Sequence, residues 1–94
     1  MNNSINNLND FNKIIKKHNK ILFYFYSHNI DYIDTLDKIS EYVRDKNIKW
    51  INVNVDNSQQ LVTKLDLVSY PSIRIYNNDS FKEYSSIKEI NHHN

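Results

Sequence analysis

One stretch limits this sequence more than any other: Ile21-Leu22-Phe23-Tyr24-Phe25-Tyr26, an unbroken apolar and aromatic run that stops at Ser27, His28 and Asn29 and then passes into a helical pattern. A strand with one wet face alternates apolar and polar residues; continuous apolar character belongs to a central strand with helices on both sides of its sheet. Aromatic side chains suit such a pleated, packed surface. In sheets of this kind binding and chemistry usually sit just past the strand's carboxyl end. Ser27, His28 and Asn29 therefore mark the expected site, and none of them is a strong nucleophile without help.

The neighbouring patterns build a sheet around that run. Leu8, Phe11, Ile14 and Ile15 recur at helical spacing, with Asn7 or Asn9 as N-cap, and Lys16, Lys17 and His18 suit the negative end of the helix dipole. Ile33, Leu36, Ile39 and Val43 give a second helix, from about Asp31 to Arg44, capped by Asn29 or Asp31. Trp50 to Val55 alternates with period two, an edge or near-edge strand, and Asp56 ends it. Ser58 is placed to cap a short helix carrying Leu61, Val62 and Leu65. Ile73 to Tyr76 and Phe81 to Tyr84, around the turn Asn77-Asn78-Asp79, read as a β-hairpin entered through Pro71, the single proline. A short helical piece with Ile87 and Ile90 follows. The strand, crossover helix and second strand make a right-handed parallel unit. The fold class is α/β: a mixed sheet of about four strands, one parallel βαβ unit plus an antiparallel hairpin, flanked by helices.

Composition narrows the function classes. A chain of 94 residues is expected to make one domain over residues 1–94, with 1–7 and 91–94 flexible. Lysine and arginine total 12 against 11 acidic residues, and no basic stripe forms, so nucleic acid is not expected as a partner. Lys13, Lys16, Lys17 and Lys20 read as a solvated helix face. Cysteine is absent, which excludes disulfides, thiolate metal sites and dithiol exchange. No apolar run approaches the roughly 20 residues of a membrane helix. The sequence reads as an intracellular, soluble protein, cytoplasmic by default, with no membrane partner. Glycine is also absent, a bias that fits AT-rich coding and hands glycine's turn positions to asparagine.

The order and spacing of these elements resemble the thioredoxin family from about Leu8 to Ile90. Ile21 to Ser27 is similar to the family's strand leading to its redox loop, and Asn54-Val55-Asp56 to the valine-aspartate ending its next strand. Leu67-Val68-Ser69-Tyr70-Pro71-Ser72 is similar to its apolar-x-x-apolar-Pro-Thr segment. The resemblance implies that Pro71 is the family's cis-proline. It also exposes what has gone. The Cys-x-x-Cys loop is shortened and lost, Tyr24 stands at the position of the relay carboxylate, and Asn52 at that of its lysine partner. The family's first strand is hard to find before Leu8, which leaves Trp50 to Val55 as a sheet edge unless residues Met1 to Asn7 supply a short edge strand, and its last helix is cut to little more than a turn.

These readings converge on recognition without redox chemistry. The expected binding groove is Tyr26, Ser27, His28, Asn29, Ser69, Tyr70, Pro71 and Ser72. The resemblance implies that the backbone before Pro71 pairs with an extended protein or peptide segment, a mode that needs no thiol. No catalytic residue is assigned: adjacent Ser27 and His28 point apart at a strand end, with no orienting carboxylate or oxyanion loop in view. His92 and His93 sit on a tail and do not converge, so no metal and no cofactor are expected. Two alternatives stay open: a glutathione-type ligand site or thiol-independent enzyme on the same scaffold, and a homodimer through the Trp50–Val55 edge or the thinly covered sheet face.

Overall fold

The apolar run becomes the middle strand of a five-stranded mixed sheet in the computed structural model, which describes residues 3–27 and 33–92. In chain order the elements are β1 (Asn3–Ser4), α1 (Leu8–Lys17), β2 (Lys20–Tyr26), α2 (Ile33–Val43), β3 (Lys49–Asn54), a 3-10 turn (Val55–Asn57), α3 (Gln59–Leu65), β4 (Ser72–Asn77), β5 (Ser80–Tyr84) and α4 (Ile87–His92). The sheet order is β1-β3-β2-β4-β5. β2 runs parallel to β3 and antiparallel to β4, with Phe25 opposite Val53 on one side and Ser72 on the other.

Strand alternation explains why β2 is apolar throughout. Ile21, Phe23 and Phe25 point into one core with Phe11 of α1, Leu61 of α3, Ile51 and Val53. Leu22 and Tyr24 point into a second core with Ile39 of α2 and Ile73, Ile87 and Ile90. The first core lies on face one of the sheet and the second on face two. Phe11 lies on Phe23 with ring centroids 4.9 Å apart, and Tyr76 meets both rings edge-on. Phe23 and Phe25 are fully buried, so each contributes about 1.5–3 kcal/mol of burial.

Several local expectations change at the element ends. Asn3 and Ser4 pair in parallel with Ile51 and Asn52, the Ile5 N–H donates to the Asn52 carbonyl, and Ile5 is buried. Of the two outcomes left open for residues 1–7, a flexible segment or a short edge strand, the structure shows the strand, continued by the Ile5 contact, and β3 is second from the edge there. Asn7 is the N-cap of α1, its Oδ1 accepting from the Asp10 N–H at 2.8 Å. Ser58 occupies the N-cap position of α3 without capping it: its hydroxyl donates back to the Asn54 carbonyl at 2.8 Å. β3 stops one residue before the expected end because Val55 enters the 3-10 turn. The expected caps of α2, Asn29 or Asp31, lie outside the described residues.

Left-handed backbone in this glycine-free chain falls, among the described residues, at Asp45 (φ 62°), Asp66 (φ 55°) and Asn78 (φ 61°). Aspartate shares with asparagine the short polar side chain that eases this conformation, so it takes two of the three positions expected for asparagine. Asn78 forms the β4–β5 turn and its N–H donates to the Asn19 carbonyl, tying the hairpin to the start of β2.

Candidate functional site

Two elements bring the expected residues together. β2 ends at Tyr26 and delivers Ser27; the segment between α3 and β4 delivers Ser69, Tyr70 and Pro71. The β2–β4 register, Phe25 opposite Ser72, sets them side by side. The Tyr70–Pro71 peptide is cis. His28 and Asn29 lie outside the described residues.

The segment before Pro71 is shaped by one buried anchor and one buried cation. Leu67 inserts into the face-one core, while Val68 is left 80% exposed and Ser69 is also exposed. Asp66 closes α3 in the left-handed region, its N–H bonding the Thr63 carbonyl. Arg74, only 6% exposed, donates from Nη2 to the Leu65 carbonyl at 2.7 Å and from Nε to Glu83 at 2.6 Å. The end of α3 is thus fastened to β4. Neither Ser69 nor Tyr70 makes a backbone hydrogen bond to another described residue.

The sequence-predicted residues divide by role. Tyr26 stacks on Tyr24 at 5.5 Å and packs against the face-two core, whereas Tyr70 is half-buried against the face-one core. Pro71 borders a hollow of about 190 Å³ with Tyr24, Ile73 and Ile87 on face two. Ser72 points inward and is 2% exposed; its hydroxyl finds no hydrogen-bond partner among the described residues. Period-two alternation places it under the groove instead of on its surface.

Asp56 is a further site residue that the sequence list omits. The Ser27 hydroxyl donates to its carboxylate at 3.1 Å across two elements, and Asn54 Oδ1 accepts from the Asp56 N–H at 3.0 Å. Burial, and then the nearby Asp56 charge, raise the Tyr70 phenol above its ordinary value, so Tyr70 is a neutral donor at physiological pH. Its signal in the sequence is its place at the end of the Trp50–Val55 strand; its partner Ser27, 29 positions away, is not visible in one dimension.

Chemically this arrangement is poorly suited to nucleophilic catalysis. A carboxylate accepting from a serine hydroxyl is too weak a base to generate an alkoxide, and no described histidine stands between them. Among the described residues no group of three or more His, Asp or Glu side chains could hold a metal ion, and no helix is long and apolar enough to cross a membrane. What remains is an aromatic and hydroxyl-bearing surface with the exposed Asp56 carboxylate at its edge, held to Ser27.

Comparison with known proteins agrees with this fold. A family model described as Thioredoxin matches residues 3–93. The oxidised Plasmodium falciparum thioredoxin in solution superposes with TM-score 0.83 at 15% identity, over 98% of this chain and 93% of that one. Oxidised mitochondrial thioredoxin 3 of Saccharomyces cerevisiae gives TM-score 0.82 at 14% identity, over 98% and 92%. Fasciola hepatica thioredoxin gives 0.80 at 14% identity, over 97% and 92%. At such identities the likeness shows the fold alone. A search of curated proteins finds no match.

Proposed function

The chain belongs to the thioredoxin family, and from that membership without a single cysteine we propose a redox-inactive module that binds a protein or peptide beside Pro71. The observation that carries the reading is the pairing of a retained scaffold with a lost reagent: the strands and the Pro71 segment are in place, and no thiol is available to use them. The groove runs from Tyr26 and Ser27 to Ser69, Tyr70 and Pro71, with Asp56 bound to Ser27 beside it; His28 and Asn29 extend it in the sequence. An extended segment adds to the open backbone at Ser69 and Tyr70 by β-augmentation, while the amphipathic Tyr70 ring and exposed Val68 supply contact area.

The test uses extended peptides selected against the wild-type protein from a displayed random library. Tyr70→Arg and Val68→Asp should each weaken the selected peptides about tenfold or more, an effect of hot-spot size, with thermal stability nearly unchanged because Val68 is exposed and Tyr70 half-buried. Equal affinity for wild type and both variants would sink the reading. Reduction of insulin disulfides should be nil; reproducible turnover would refute the redox-inactive part.

A further inference from the structure

The groove beside Pro71 leaves the opposite end of the sheet unexplained. There, on face two, a second groove of about 420 Å³ is walled by Tyr42, Ile48, Ile75 and Tyr84, with Lys20 and Lys82 among its lining residues. Lys20 stands opposite Asn77 in the β2–β4 register, whereas the Pro71 end is marked by Phe25 opposite Ser72. Five residues of strand separate them, about 17 Å.

Its origin lies in an incomplete helical layer. α2 and α4 cover face two, but α4 has six residues and inserts Ile87 and Ile90 over the Pro71 half, against Leu22, Tyr24 and Ile73. Beyond it Ile75, Ile48, Tyr42 and Tyr84 are only half-buried. The hollow has aliphatic and aromatic walls and lies in a layer otherwise made of helices, so an added helix would extend that layer over half-buried apolar side chains.

Charge says what kind of helix. Lys20 and Lys82 alternate in phase with Leu22 and Ile75's cross-strand position, so both side chains rise on face two at the groove, and both are exposed. Neither makes an ion pair with a described residue, and among the described residues no carboxylate lines the groove. Lys46 adds a third cation beside it, its Nζ 4.4 Å from the centroid of the Tyr42 ring. The geometry points to a docking site for an acidic amphipathic helix of a partner protein, whose apolar stripe fills the groove and whose flanking carboxylates meet Lys20 and Lys82. The site is independent of the groove beside Pro71.

The probe is a labelled helical peptide of about 14 residues, long enough to hold a helix, with leucines at i, i+3 and i+4 and flanking glutamates, and a twin carrying lysines instead. Fluorescence anisotropy should show the acidic peptide binding wild type and losing about tenfold on Lys20→Glu with Lys82→Glu, while the basic twin shows the reverse preference. Affinity should fall with added salt, and Tyr70→Arg should leave it unchanged. Equal binding of the two peptides, or none at about 1 mM, overturns the inference. So does octanoate binding to the groove as tightly as the peptide, which would make it a small-anion site. Self-association abolished by the lysine reversals overturns it in favour of a second copy.

Discussion

Replacing Arg74 by methionine tests the contact that holds the Pro71 segment in place. Its three interactions are not of equal weight. The Leu65 carbonyl, which accepts from Nη2 at 2.7 Å in a part-buried position, loses its side-chain partner, at about 1–3 kcal/mol. The Glu83 side chain is 36% exposed, so water takes over its carboxylate and the ion pair accounts for only about 0.2–1 kcal/mol. The guanidinium lies 4.5 Å from the centroid of the Phe81 ring, a residue 47% exposed, worth about 0.5–1 kcal/mol. Methionine restores part of the packing. The net loss should be about 2–3 kcal/mol, or a fall of about 10–20 °C in melting temperature for a domain of this size. Urea unfolding followed by Trp50 fluorescence measures it. A loss under about 0.5 kcal/mol would refute the weight given to the Leu65 carbonyl. Glu83→Gln alone should cost less than about 1 kcal/mol, and a double-mutant cycle would show whether the larger share lies with the carbonyl.

Three further outcomes follow from the same structure. Ile39→Ala empties a fully buried position on α2 and should cost about 2–5 kcal/mol in the same assay, with a cost near zero contradicting the two-core packing. Asp66→Gly should stay within about 0.5 kcal/mol of wild type while Asp66→Ala loses about 1 kcal/mol, since only alanine carries a Cβ without a polar group at φ 55°; identical stabilities would remove the left-handed constraint. Asp56→Asn should lower the Tyr70 titration, read by tyrosinate absorbance against Tyr70→Phe, yet leave it above the ordinary phenol value because burial remains the larger cause. The folded state holds that proton more tightly than the unfolded chain. Stability therefore falls as pH rises past about 10, and Tyr70→Phe removes that part of the alkaline loss.

Much of the fold was legible because its signals are local. The continuous run at Ile21 to Tyr26 can satisfy only a strand packed on both faces, and the structure puts Phe23 and Phe25 in one core and Leu22 and Tyr24 in the other. Helical spacing at Phe11 and Ile39, and the turn at Asn78, likewise need no distant partner to be read. β1 stays an open alternative in the sequence because two residues have no periodicity; Asn3 and Ser4 become a strand only when Ile51 and Asn52 offer them a ladder. Ser58 looked like a cap, and only the nearby Asn54 carbonyl explains why its hydroxyl turns the other way.

The sequence alone determined the elements, their order and the absence of thiol chemistry, since hydrophobic period and cysteine count are properties of the chain. Tertiary structure decided what the site is made of. Asp56 meets Ser27 across 29 positions of sequence, Arg74 reaches the Leu65 carbonyl from the neighbouring strand, and Ser72 turns inward beneath the groove. Each is a through-space fact: the β2–β3 register sets Ser27 beside Asp56, the packing of α3 brings Leu65 to Arg74, and the β2–β4 register turns Ser72 inward, where a shift of one residue would reverse which side chains reach the surface.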